Sequence, residues 1–365
     1  MKGNVIVGQS GGPTAAINSS LAGVYCTARE RGAKKVYGML HGIQGLMEGK
    51  YVDLSDFIRS DLDVELLRRT PAAFLGSCRY KLPEIHENQE VYEKIFDILE
   101  ELDIECFIYI GGNDSMDTIK KLYDYSMVTG RGHTNFLGVP KTIDNDIYGT
   151  DMTFGFYSAV NIATDAIDCI HTTAASHNRV FIVEVMGHKV GWLTLYSGIA
   201  GGADIILIPE IPYDIKKVIE AIDRRTKAGK GFTVIAVAEG AISKADAKLS
   251  KKDYKKKLEA KKYPSVAYEI AEEIQAANGP EVRITVPGHT QRGGSPCPYD
   301  RVLSTRIGVT AAKMILDEEY GYMVGIVNGK MKKVPLSEVA GKLKTVSPKD
   351  QIIEEAKLMG ISFGD

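Results

Sequence analysis

Phe136-Leu137-Gly138-Val139-Pro140-Lys141-Thr142-Ile143-Asp144-Asn145-Asp146 is an apolar run that breaks abruptly into lysine, hydroxyl and carboxylates. Residues 136–139 read as a buried strand. Such a junction predicts an open parallel sheet, where ligands bind beyond the carboxyl ends of strands. Asp144 and Asp146 stand two apart, so an extended backbone would aim both side chains the same way. That pair can hold a divalent cation or supply a general base, and Lys141 adds a fixed positive charge beside it. The combination suits a highly anionic substrate, with phosphoryl transfer the foremost candidate. A solvated Asp/Asn turn would use the same residue types, so the heptad by itself leaves both readings open.

The same junction recurs outward from this stretch. Residues 4–7 form an apolar run followed by Gly8-Gln9-Ser10-Gly11-Gly12-Pro13-Thr14 and a helical pattern over about 15–31. Residues 106–110 run into Gly111-Gly112-Asn113-Asp114-Ser115, with a helix expected from about Met116. Strand, glycine turn and helix can cradle phosphate on backbone N–H groups. Neither turn has P-loop or GxGxxG spacing, and a tight βα turn capped by Asp114 or Ser115 is the plain alternative. Arg79 ends a further glycine-bearing loop, as a phosphate clamp or a surface charge. Three polar strand ends on one edge of a sheet outweigh any single loop.

The alternation continues, giving an α/β chain. Strands are expected at 179–185, 204–208, 232–237 and 281–286, with helices at 154–171, 192–201, 215–230 and 267–277. Met186-Gly187-His188 and Glu239 end two of these strands, and Gly288-His289-Thr290-Gln291-Arg292-Gly293-Gly294 is a third glycine-rich stretch. Residues 243–262 are lysine-rich and read as a solvated helix or excursion.

At 365 residues the chain has room for two domains. Its 44% hydrophobic and 25% charged content is ordinary for a soluble protein. A net charge of -2 offers no field for nucleic acid or a membrane surface. No signal-peptide core or spanning segment is evident, so a cytoplasmic location is expected. Cys26, Cys78, Cys106, Cys169 and Cys297 form no CxxC pair and read as reduced thiols.

The blocks GQSGGPTAAIN, FLGSCR, GGNDS, PKTIDND, SHNR, VEVMGH, AEG and GHTQRGGSPCPYDR, in this order, resemble the phosphofructokinase family over about residues 3–325. The resemblance implies two αβα domains with mostly parallel sheets and the active site in the interdomain cleft. The donor-binding domain is expected at 1–149 plus about 287–340, the sugar-phosphate domain at 150–286 plus about 341–365. It implies reversible in-line transfer from Mg²⁺-pyrophosphate to the 1-hydroxyl of fructose 6-phosphate, a glycolytic step. Asp144 would be the base, Thr142 would bind the transferring region, and Asp146 with Asn113 would serve Mg²⁺. Gly12, Arg79, Gly111, Gly112 and Ser115 would bind the donor. Arg179, Met186, Gly187, His188, Glu239, Arg283, His289 and Arg292 would bind the sugar phosphate. In a homodimer or homotetramer, Arg179 and Arg283 would reach a neighbouring subunit's site.

Donor choice rests on two positions. ATP-using members typically carry glycine where Asp114 stands, and often where Lys141 stands, so the chain is similar to the pyrophosphate-using branch. A carboxylate at 114 would repel a nucleotide's α-phosphate by about 4 kcal/mol per charge pair, at about 4 Å and an effective dielectric near 20. Lys141 would neutralise the departing phosphate. An ATP-dependent enzyme and a catalytically silent regulatory subunit are the rivals. Asn113 replaces a common metal-holding aspartate, and His188 replaces the arginine of MGR, making its contact weaker and pH-dependent. Asn18 and Ala22 stand where regulated bacterial members carry effector-binding arginines, which implies an enzyme without allosteric control.

Overall fold

Runs of Val, Ile and Phe without polar alternation set the strands, as expected where both faces of a sheet are covered. The computed structural model describes residues 3–131, 133–176, 179–260, 262–316 and 320–365. His177 and Asn178 of the SHNR block, and Lys261 of the lysine-rich stretch, lie outside the described residues. In chain order the strands are β1 (Asn4–Gln9), β2 (Val36–Met39), β3 (Tyr51–Asp53), β4 (Ile104–Gly111), β5 (Asn135–Pro140), β6 (Val180–Val185), β7 (Ile205–Leu207), β8 (Thr233–Ala238), β9 (Val282–Thr285), β10 (Tyr322–Val327) and β11 (Lys330–Pro335). The chain divides into two units, Met1–Ser158 with Arg292–Lys344, and Ala159–Gln291 with Thr345–Asp365. The expected breaks at 149/150, 286/287 and 340/341 thus stand at 158/159, 291/292 and 344/345.

The first unit holds a seven-stranded sheet in the order β11-β10-β5-β4-β1-β2-β3. β10, β5, β4, β1 and β2 run parallel, and the edge strands β3 and β11 are antiparallel. Side chains alternate between two cores. Val5, Val7, Ile108 and Leu137 face the helices Ile17–Glu30 and Pro298–Leu316. Ile6, Phe107, Tyr109 and Phe136 face the helices Gln89–Glu101 and Asn113–Thr129. Three layers follow from this period-two alternation. Because β5, β4 and β1 are neighbours, the polar ends after Pro140, Gly111 and Gln9 lie side by side.

The second unit has a parallel four-stranded sheet in the order β7-β8-β6-β9. Val180, Ile182, Ile235 and Val237 pack against the helices Ile215–Lys227 and Val266–Ala276. On the other face the helix Trp192–Ala200 brings Gly198 against Ile206 and Ala236. The lysine-rich stretch contains a helix, Lys251–Ala260, with no buried residue. No helix among the described residues is long and apolar enough to cross a membrane.

Two local expectations need correction. The helix after the second glycine turn begins at Asn113, not near Met116, with Gly112 as its N-cap. The stretch 144–146 is not extended: Asn145 has φ 52°, in the left-handed region where asparagine is enriched among non-glycine residues.

Candidate active site

Four loops of the first unit knit together beyond β1, β4 and β5. Ser10 and Ser115 share a hydroxyl–hydroxyl bond of 2.8 Å, linking the two glycine turns. Gly11 N–H donates to the Cys78 carbonyl at 2.9 Å, and the Ser77 hydroxyl donates back to the Gly11 carbonyl at 2.5 Å. Lys141 N–H donates to the Gly111 carbonyl at 2.8 Å. Gly11 has φ 76°, a conformation that suits glycine. At Gly12 a Cβ would lie 1.8 Å from Nη1 of Arg292, so this glycine is the floor on which the guanidinium rests.

Lys141 sits at the centre, 2% exposed, with Nζ donating to the Gly12 carbonyl at 2.6 Å. Burial lowers its pKa from the ordinary 10.5 to about 7. Arg292 and Arg79 push the same way, while Asp144 and Asp146 favour the protonated form. The fixed positive charge expected of Lys141 is therefore a conditional one, gained fully only when an anion arrives.

The aspartate turn is held from several sides. Thr142 Oγ1 accepts from Asp144 N–H at 3.1 Å, and the Thr142 carbonyl accepts from the Thr153 hydroxyl at 2.9 Å. Asn145 Oδ1 accepts from Thr153 N–H at 3.1 Å and from Lys344 Nζ at 2.8 Å. Asn113 Nδ2 donates to Asp146 Oδ2 at 2.7 Å, so the amide braces the carboxylate. Asp146 is buried and Asp144 half-buried.

Asp114, in the first turn of the helix Asn113–Thr129, is 68% exposed and pairs with Lys81 at 3.4 Å. In that setting the dielectric is close to that of water, and the repulsion expected toward a nucleotide falls to about 1 kcal/mol per charge pair. Arg79 is exposed.

In the second unit the residues ending β6 and β8 meet. Gly187 N–H donates to Glu239 Oε1 at 3.3 Å, and Met186 N–H to Gln291 Oε1 at 3.2 Å. Gly187 has φ 134°, and a Cβ there would come within 2.7 Å of the Val190 carbonyl. His188, Glu239 and His289 are exposed. Arg179 and Arg283 both pair with Glu281. Arg292 belongs to the first unit. His188 and Glu239 line a cavity of about 870 Å³ whose wall includes Tyr254 and Lys257 of the lysine-rich stretch.

Two residues outside the sequence reading hold these loops. Gln291 is 1% exposed and ties Met186 to the Gly288 carbonyl, and Lys344 grips the aspartate turn. Gln291 lies within GHTQRGGSPCPYDR, next to Arg292, but nothing local to Lys344 marks it.

The phosphofructokinase family model matches residues 4–315. The chain belongs to the phosphofructokinase family. A relative from Spirochaeta thermophila, named ATP-dependent 6-phosphofructokinase, is 44% identical over 98% of this chain and 96% of its own length. ATP-dependent 6-phosphofructokinase 3 of Bacteroides thetaiotaomicron is 41% identical over 97% of this chain and 98% of its own. Among solved structures, the pyrophosphate-dependent phosphofructokinase of Marinobacter aquaeolei superposes with a TM-score of 0.82 at 30% identity, covering 99% of this chain and 92% of that one. The α/β phosphofructokinase fold read from the motif order is thus the fold of this chain.

Proposed function

We propose that the chain reversibly transfers a phosphoryl group from pyrophosphate to the 1-hydroxyl of fructose 6-phosphate. The observation that carries this reading is the buried Lys141 amine beneath the converging glycine turns, with two carboxylates close by. Asp144 takes the proton of the attacking hydroxyl, in the role of general base. Lys141, protonated as the donor binds, neutralises charge on the departing phosphate. Backbone N–H groups of the turns at Gly12 and Gly111–Ser115, with Arg79, hold the donor at the N-terminus of the helix Asn113–Thr129. Asp146 suits Mg²⁺, which is commonly held by one or two carboxylates plus substrate phosphates, with Asn113 bracing Asp146. When bound, that ion would offset charge on the phosphates. Arg292, His289, Glu239, His188, Met186 and Gly187 engage the sugar phosphate. Arg179 and Arg283, drawn together by Glu281, would serve a neighbouring subunit's site in a homodimer or homotetramer.

Transfer from ATP is the second reading, favoured by the names of the relatives from Spirochaeta and Bacteroides. A coupled assay with fructose 6-phosphate and either donor separates the two. The pyrophosphate reading expects kcat/KM at least about tenfold higher with pyrophosphate, and Asp114→Gly should raise ATP use about fivefold, the worth of about 1 kcal/mol. Higher kcat/KM with ATP in the wild type would reverse the donor assignment.

A further inference from the structure

Lys344 closes the first unit and lies beyond every motif that carries the resemblance. Its backbone N–H donates to the Asp146 carbonyl at 2.9 Å, and its neighbour Leu343 bridges Ile147. The segment therefore runs alongside the residues that follow the aspartate turn. Its side chain then turns inward. Nζ donates to Asn145 Oδ1 at 2.8 Å, to the Thr150 carbonyl at 2.9 Å and to the Asp151 carbonyl at 2.8 Å. An ammonium has three protons to donate, and these three oxygens converge on it. The planar fork of arginine could not meet three converging acceptors in this way.

The acceptor that matters is Asn145. It stands between Asp144 and Asp146 with φ 52°, a conformation that persists only when its surroundings over-determine it. Thr153 fixes the same amide oxygen from the other side at 3.1 Å. Fixing Asn145 fixes the stretch of backbone from which both flanking carboxylates project.

We propose that Lys344 is a positioning residue for phosphoryl transfer: its ammonium clamps Asn145 in the left-handed turn and so aims Asp144 and Asp146. The inference rests on the assignment of Asp144 as base. It adds a residue some 200 positions distant in sequence to the machinery of the reaction.

Steady-state kinetics with fructose 6-phosphate and the preferred donor test it, in Lys344→Met, Lys344→Gln, Asn145→Gly and the two double variants. Misaiming a reacting group by about 1 Å costs on the order of 100-fold, so Lys344→Met should lower kcat about 10–100-fold while both KM values stay within about threefold. Lys344→Gln, which keeps an amide donor, should fall between it and the wild type. Glycine adopts a left-handed turn unaided, so in the Asn145→Gly background loss of the ammonium should cost less than about threefold in kcat. A merely structural lysine would lower the melting temperature equally in both backgrounds and leave kcat per folded enzyme alone. Should Lys344→Met fail to fold by circular dichroism, Lys344→Gln carries the same comparison between backgrounds. Wild-type kcat in both lysine variants, or equal losses in the two backgrounds, would overturn the proposal. Asp144→Asn is run beside them: full activity there overturns the base assignment, whereas its inactivation alongside unaffected lysine variants overturns the clamp alone.

Discussion

The two units treat their candidate site residues differently. In the first, Lys141, Asn145 and Asp146 are buried: Lys141 Nζ donates to the Gly12 carbonyl, Thr153 N–H and Lys344 Nζ hold the Asn145 amide oxygen, and Asn113 holds Asp146. In the second, His188, Glu239, Arg283 and His289 are exposed; Gly187 N–H holds the Glu239 carboxylate and Gln291 holds the backbone of Met186. Proton and phosphoryl transfer demand near-exact geometry of reacting atoms, whereas gripping a phosphate requires only charge within reach. One region is buried and interlocked, and the other is exposed and held by isolated contacts, such as Gly187 N–H to Glu239 and Glu281 to Arg283.

The sharpest way to break this contrast is Asp144→Asn. Removing a general base costs about 10²–10⁴-fold in rate, so kcat should fall at least 100-fold with the KM of fructose 6-phosphate nearly unchanged. A variant within tenfold of the wild type would show that the interlocked turn is scaffolding only.

Next comes the conditional charge. The folded-state pKa of Lys141 lies near about 7, below its ordinary 10.5. Between those values the unfolded chain holds the proton and the folded chain has released it, so this group makes stability rise with pH across that window. On the proposed function the effect on activity runs the opposite way: as pH rises past about 7 the ammonium proposed to meet the donor is lost. The groups facing it are Arg292 and Arg79, which oppose protonation, and Asp144 and Asp146, which favour it. Between pH 7 and 8.5 the KM for pyrophosphate should therefore climb several-fold more in the wild type than in Lys141→Gln, where only the donor's own titration remains. Parallel slopes in the two proteins would contradict the buried amine's role.

The smallest effect belongs to the second unit. Glu281 pairs with both Arg179 and Arg283, whose side chains are 30% and 52% exposed. Such pairs are worth about 0–1 kcal/mol, so Glu281→Gln should free the guanidinium groups at little cost and lower the KM for fructose 6-phosphate by no more than about threefold. A loss above tenfold would mean that this region is as tightly prearranged as the first.

Much of this layout was legible because short-range chemistry dictated it. Apolar runs ending in Gly8–Thr14, Gly111–Ser115 and Pro140–Asp146 announce parallel strands with polar, glycine-rich ends, and β1, β4 and β5 are neighbours. The left-handed Asn145 was hidden because φ depends on partners at 153 and 344. The depressed proton affinity of Lys141 arises first from burial and then from Arg292, and both depend on parts of the chain far from 141. Lys344 lacks any local signature, since its partners are mostly backbone carbonyls. The helix Pro298–Leu316 was also absent from the sequence reading. Leu303, Ile307, Ala311 and Met314 do recur at helical spacing, but Gly308 interrupts the stripe. That glycine serves packing: a Cβ there would lie 2.2 Å from the Ser20 carbonyl of the facing helix.

The interlocked turns around Lys141 are read as a seat for inorganic pyrophosphate, and the reverse reaction tests that most directly. Fructose 1,6-bisphosphate is incubated with Mg²⁺ and either inorganic phosphate or ADP, and the products are followed by phosphorus NMR. The account predicts a growing pyrophosphate resonance with inorganic phosphate, and little or no ATP from ADP. ATP formation from ADP with no pyrophosphate in the parallel tube would contradict it.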